Sequence, residues 1–392
     1  MNLGTTVFAQ LMDYVDRREF RQIVRTRDTG RRKYRFSCWD QFLCMAFAQL
    51  TSRESLRDIE TCLRALGSKL YHAGIRSPIS RSTLAYANEH RPWLIFQDVA
   101  LCLISRARVL YRDDRFLADL EMAVYALDAT IIELCLKLFP WARAVHHQAT
   151  VAGVKLHTLL DVQRNLPVFA RVSAANVSER RILDEIQLEP GAFYIMDRGY
   201  LDFARLKKID NAGAFFVIRG KRDLRFLRVT SHPVDKTWGI TVDQTIRLVV
   251  PLSVKGYPDC LRRIKLFDSE KQQSIVFLTN NFLLDALTVA ELYRSRWQIE
   301  LFFKWVKQHL RIKTFYGTTL NAVNTQIWIA LAIFVLVAIV KKDLKLEPSL
   351  YTILQILSVT LFEKEPINQV LFDHQDLIPT SHNPNQLNLF TL

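Results

Sequence analysis

Residues 288–311 read TVAELYRSRWQIELFFKWVKQHLR, and their spacing predicts one amphipathic helix. Thr288 and Glu291 stand at capping-box distance, so the hydroxyl and the carboxylate can satisfy free N–H groups at its start. Leu292, Ile299, Phe302, Phe303, Val306 and Leu310 recur at helical intervals and supply a face to bury. Another face carries Tyr293, Arg296, Glu300, Lys304 and Lys307. One acid among bases and an aromatic fits a carboxylate aimed at a metal, with phosphate-binding groups beside it. A solvated face with an i,i+4 Arg296–Glu300 pair fits the same residues. This segment alone does not choose.

Upstream, two apolar stretches are each interrupted or ended by an acid. Residues 123–134, AVYALDATIIEL, read as a strand holding Asp128, and an acid inside a buried strand costs several kcal/mol unless it is paired or bound to a cation. The alternative is an acid at a strand end, capping a turn. Residues 192–197, AFYIMD, form a short strand ending at Asp197, followed by Arg198-Gly199-Tyr200; acids at the carboxyl ends of such strands sit where ligand sites form. Between these stretches, 154–161 and 167–174 predict a hairpin turning at 163–165. Asn176 and Glu179, again at capping-box spacing, predict a helix through Ile186. A helix follows over 203–211 and a strand over 214–218. From about 220 to 285 short alternating strands predict a β-rich insertion. Asp161, Asp184 and Asp202 read as support for turns and helix surfaces.

The whole chain bounds these readings. Its 392 residues allow two or three domains, and 49% hydrophobic with 23% charged residues exclude wholesale disorder. The net charge of +14 points to a polyanion, nucleic acid before membrane. Nine of these bases fall between Arg17 and Arg35, at the head of a mainly helical region of 1–115 that reads as a basic DNA-binding domain. Within it, helices over 51–66 and from Ser80 are compatible with a helix-turn-helix, as they are with any small helical bundle. Residues 327–340 form an apolar run shorter than the roughly twenty residues a span needs, so a buried helix and no membrane are expected. No amino-terminal signal is visible, and six cysteines without a CxxC pair predict a reducing, cytoplasmic setting with neither zinc nor disulfides. Residues 343–392 predict one last helix and a loose tail.

Three acids drawn from distant parts of the chain suit hard divalent cations, which take oxygen ligands and assist in-line phosphodiester displacement. The motifs carrying them resemble DDE transposases of the IS4 class. The family's helix pattern of Tyr, two residues, Arg, three residues, Glu, six residues, Lys stands here as Tyr293, Arg296, Glu300 and Lys307. ALDAT supplies the first Asp, MDRGY the second, and the β-rich insertion falls between the second Asp and the Glu. The resemblance covers roughly 123–340. It implies an α/β catalytic domain over 116–342, with an RNase H-like mixed sheet, flanking helices and a β-rich insertion. It implies Asp128, Asp197 and Glu300 as catalytic metal ligands for two Mg²⁺ (or Mn²⁺) ions. It implies DNA contacts from Tyr293, Arg296, Lys307 and the neighbouring Lys304 and Arg198, with Trp297 and Trp238 available to stack on a flipped base; Trp297 reads equally as core and Trp238 as an ordinary β-domain aromatic. The implied activity is metal-dependent cleavage at terminal inverted repeats followed by strand transfer into double-stranded target DNA. The implied assembly is a homodimer in a synaptic complex, in the nucleoid of a prokaryotic cell. A silent, transposase-derived repressor and an RNase H-fold nuclease that does not join strands are the competing readings.

Overall fold

The structure is a computed structural model that describes residues 4–28, 35–67, 69–76, 79–112, 122–146, 149–221, 223–268, 272–309 and 315–373. Helices come first: α1 (Val7–Met12), α2 (Arg17–Arg27), α3 (Cys38–Leu50), α4 (Leu56–Ala65), α5 (Lys69–His72), α6 (Arg81–His90) and α7 (Leu94–Leu110). Then follow β1 (Val124–Leu134), β2 (Arg143–His146), β3 (Ala149–Asp161), β4 (Leu166–Ala174), β5 (Phe193–Met196), α8 (Phe203–Asn211) and β6 (Phe215–Arg219). Next are β7 (Phe226–Ser231), β8 (Ile240–Leu248), α9 (Pro251–Gly256), β9 (Leu261–Asp268) and β10 (Gln273–Thr279). The chain closes with α10 (Ala286–Arg294), α11 (Trp297–His309), α12 (Leu320–Asp343), α13 (Leu350–Thr360) and α14 (Ile367–Asp373).

Two compact units emerge. One comprises Met1–Asp113, Ile132–Gly153 and Phe302–Leu392, the other Asp114–Ile131 and Val154–Leu301. These units cut the chain differently from the expected boundaries, because the segment from Phe302 onward groups with the amino-terminal helices. The reason is α12. Every residue from Ala322 to Val340 is buried, and α12 packs on α7, α3, α6 and α13, with Trp328 stacked on Trp93 at 6.5 Å between ring centroids. By length and composition α12 would cross a membrane, but its apolar window lies wholly inside the protein. On α2, Arg17, Arg18, Arg21, Arg25 and Arg27 are exposed, and Arg27 pairs with Asp98 at 2.6 Å. Arg31, Arg32 and Lys33 lie outside the described residues.

The second unit is built on the sheet. Its strands run in the order β4-β3-β1-β5-β6-β10-β9-β8-β7. Strands β1, β5 and β6 are parallel, with α8 making the crossover from β5 to β6, whereas β3–β4 and the whole run from β6 to β7 pair antiparallel. The expected insertion is therefore continuous with the main sheet: Phe277–Thr279 of β10 pair with Val217–Arg219 of β6.

Two predicted helices take other forms. Residues 176–186 give only a 3-10 turn, Glu179–Asp184, because the Glu179 side chain is drawn to Lys155 rather than back to Asn176. The helix over 288–311 is broken in two. Its cap is Asp285, which accepts from the Thr288 N–H at 2.9 Å, not Thr288 itself. The break follows from Ser295, whose Oγ donates to the Leu292 carbonyl at 2.6 Å. That carbonyl would otherwise take the Arg296 N–H, which turns instead to Tyr293 O at 3.1 Å.

Candidate active site

Register brings the first two acids together. Leu127 of β1 pairs with Met196 of β5, so Asp128 and Asp197 follow matched positions on neighbouring parallel strands. Helix α10 packs against β5 and β6, and the Tyr293 ring sits 4.7 Å from that of Phe277. From there the Tyr293 hydroxyl donates to Asp197 Oδ1 at 3.2 Å. One turn on, at the helix break, Arg296 Nη1 donates to Asp128 Oδ2 at 2.8 Å while its Nη2 donates to Glu300 Oε1. The guanidinium lies 5.7 Å from the Tyr293 ring centroid. Three acids spread over the sequence thus meet two donors from one helical turn. The i,i+4 pair read from the sequence is present, but it is half of a bridge to Asp128 rather than a solvated surface contact.

The setting is poor in water. Arg296 is 17% exposed and Asp128 20%. Burial pushes the Asp128 carboxyl up to about 6; Arg296 and the Ala129 N–H, which donates at 2.8 Å, pull it back, and the charges of Glu179 and Glu300 add to the rise. Tyr200, at the end of the MDRGY turn, is fully buried and its hydroxyl has no hydrogen-bond partner among the described residues. Burial, then the charges of Asp128 and Glu179, hold that phenol well above its usual pKa.

Comparison with known proteins agrees. The transposase DDE domain family matches residues 119–336, more than half of the chain. The chain belongs to the DDE transposase family. A Sinorhizobium fredii protein named as a transposase is 33% identical over 74% of this chain and 80% of its own. A Geobacillus stearothermophilus protein, named as the transposase of insertion sequence element IS5377, is 28% identical over 65% of this chain and 66% of its own. A Synechocystis protein named for insertion sequence element IS4SA is 22% identical over 69% and 73%. Residues 3–76 match a domain of unknown function.

The transposase therefore acts on DNA, and its family works with divalent metal ions. Its donor set suits them: Asp128, Asp197 and Glu300 offer hard oxygens, and two of the three already converge on one positive group. Among the described residues no three such side chains stand close enough to hold an ion as they are, since Arg296 lies between two and Tyr293 engages the third. Of the other residues singled out in sequence, Arg198 is exposed and Trp297 is 52% exposed, so Trp297 is not core. Lys304 is exposed and Lys307 half-buried, both on the stretch of α11 that groups with the amino-terminal helices. Trp238, also exposed, walls a cavity of about 590 Å³ with His232, Phe282 and Leu283 over the buried Asp243–Arg262 pair. Asp161, Asp184 and Asp202 are held by Arg164, by Arg205 and Lys208, and by Arg205, as their supporting role requires.

Sequence reading gave Glu179 only a capping place, named Tyr200 without a role and passed over Lys155. A lysine inside the apolar run GVKLHTLL was the available signal, because a buried ammonium needs a carboxylate.

Proposed function

We propose that this transposase cleaves DNA at the terminal inverted repeats of its element and joins the freed 3′ end to target DNA, with Asp128, Asp197 and Glu300 as the catalytic carboxylates. The observation that carries the reading is the convergence of these acids on Tyr293 and Arg296. The three carboxylates would hold Mg²⁺ or Mn²⁺, two ions in the full site, and the bound ions would supply the Lewis acidity for phosphodiester displacement. Tyr293 and Arg296 grip the end: phosphate competes for the same donors and draws them off the acids, because charge-assisted bonds to phosphate match those to carboxylate. Arg198 extends this grip, Lys304 and Lys307 are further cations for phosphate, and the exposed rings of Trp297 and Trp238 are available for stacking on an unpaired base.

The strand order β4-β3-β1-β5-β6, with β1, β5 and β6 parallel, supports an RNase H-like catalytic core. The exposed arginines of α2 support a DNA-binding role for the amino-terminal helices, with α4 and α6 as a helix-turn-helix pair. Assembly is a homodimer bridging two ends, in the nucleoid. Intact acids speak against a silent repressor.

Duplexes carrying the element's end, assayed separately for binding, nicking and joining, test the reading. Asp128→Asn should bind ends and fail to nick; nicking at the wild-type rate would remove Asp128 from the site. Replacing Arg18, Arg21 and Arg25 by glutamate should flatten the log–log salt dependence of end binding by roughly 0.9 for each phosphate no longer neutralised. An unchanged slope would take α2 off the DNA.

A further inference from the structure

We infer that Lys155 and Glu179 form a brace that positions the MDRGY turn, making Glu179 a positioning residue for Asp197 without itself holding metal. The inference rests on Asp197 being a catalytic carboxylate. Lys155 of β3 is almost fully buried, and its ammonium donates to Val177 O and to Glu179 Oε1, both at 3.2 Å. The other Glu179 oxygen lies over Gly199, where a Cβ would come within 2.8 Å of it. The next residue, Arg180, donates from Nε to Gly199 O at 3.4 Å. Two consecutive side chains of the 3-10 turn thus bear on the glycine midway between Asp197 and Tyr200. Gly199 leaves room for that approach and meets no backbone need, since it is not among the residues with positive φ; a Cβ there would make the end of the Glu179 side chain shift. Glu179 also bears on the charge of the site, being near enough to influence both Asp128 and Tyr200. A lysine buried on β3 has a purpose here: it fixes the carboxylate that fixes the turn.

The test uses the full-length transposase bound to an end duplex, with Mn²⁺ binding followed by electron paramagnetic resonance, nicking measured in parallel and thermal melting as a control. Loss of an outer residue that orients a ligand costs roughly 10–100-fold in metal affinity, so Glu179→Ala should weaken Mn²⁺ binding by about 10-fold with end binding unchanged. Glu179→Gln, which keeps an acceptor for Lys155, should recover most of it. Gly199→Ala should show the same weakening, and combining it with Glu179→Ala should add little, because both act through one contact. Should Glu179→Ala fail to fold around an unpaired ammonium, Lys155→Met with Glu179→Gln removes the charge and still breaks the brace. Mn²⁺ affinity within twofold of wild type in Glu179→Ala or in the Lys155→Met, Glu179→Gln double variant, or full additivity of Glu179→Ala with Gly199→Ala, overturns the inference. Asp197→Asn separates the layers: if it binds Mn²⁺ and nicks normally, the reading of the site fails; if it is inactive while the Glu179 variants are normal, only the brace fails.

Discussion

Helix α12 and the broken pair α10–α11 lie next to each other in sequence and bury their residues for different ends. From Ala322 to Val340, α12 carries no charge and is covered on every side. From Ile327 to Val340 its side chains are apolar and ask for volume, while the buried Gln326 Oε1 accepts from the Tyr316 N–H at 2.9 Å. The α10–α11 pair buries Tyr293 and most of Arg296, and what covers them is a set of carboxylates. An apolar residue in the first helix is replaceable by another that fills its space; Tyr293 and Arg296 in the second are tied to particular atoms 96 and 168 residues away. Burial marks stability in one place and chemistry in the other.

That contrast can be broken by substitution. The largest effect belongs to the acids: Asp128→Asn, Asp197→Asn and Glu300→Gln should each lower nicking by roughly 10³–10⁴-fold, the scale seen when a member of a catalytic set is removed. Melting should be unchanged or improved. A variant that loses its fold as well would place the acid in the structural class. Trp328→Ala should do the reverse, costing about 3–5 kcal/mol in denaturant unfolding while any protein still folded nicks at a normal rate per molecule. Arg296→Ala stands between: removing a charge-assisted hydrogen bond, about 1.5–3 kcal/mol, should cut nicking by about 10–100-fold and recover in part at low salt. An exposed pair would give near-normal nicking instead.

The smallest effect is a pH dependence of the metal-free, DNA-free protein. The Asp128 carboxyl is raised to about 6 in the fold, so the native state holds a proton there that the unfolded chain gives up earlier. Stability from this group is full below about pH 4 and is lost as pH rises through 6. Asp128→Asn should flatten that loss, on the order of 2 kcal/mol between pH 4 and 8. Parallel stability–pH curves for the two proteins would show that the site titrates as an exposed surface does.

Much of the grouping of these side chains was legible in sequence. Spacing alone put Tyr293, Arg296 and Glu300 on one face, and the two strand-borne acids stood out against apolar neighbours. The helix break did not, because one hydroxyl turned back on the Leu292 carbonyl decides it and serine occupies many unbroken helices. The joining of β10 to β6 also stayed hidden, since alternation marks strands without naming their partners. Glu179 carried a capping signal that was locally valid and lost to a buried lysine 24 residues away. The grouping of α12 with the first helices escaped for a similar reason: an even coat of apolar residues has no face that points to a partner.

The continuity of the sheet also sets an order of events in time. Glu300 and Arg296 ride on α10 and α11, and α10 packs on β5, β6 and β8. Strand β8 reaches β6 only through β9 and β10. The contact from Arg296 to Asp128 closes a loop of 168 residues, and pairings of such long range form late, after local ones have shortened the search. A chain emerging from the ribosome therefore completes β1, β5, α8 and β6 while its last acid is still unmade. If Glu300 is catalytic as proposed, the capacity to cut arrives only when the strands beyond β6 have docked and the helix that follows them is in place.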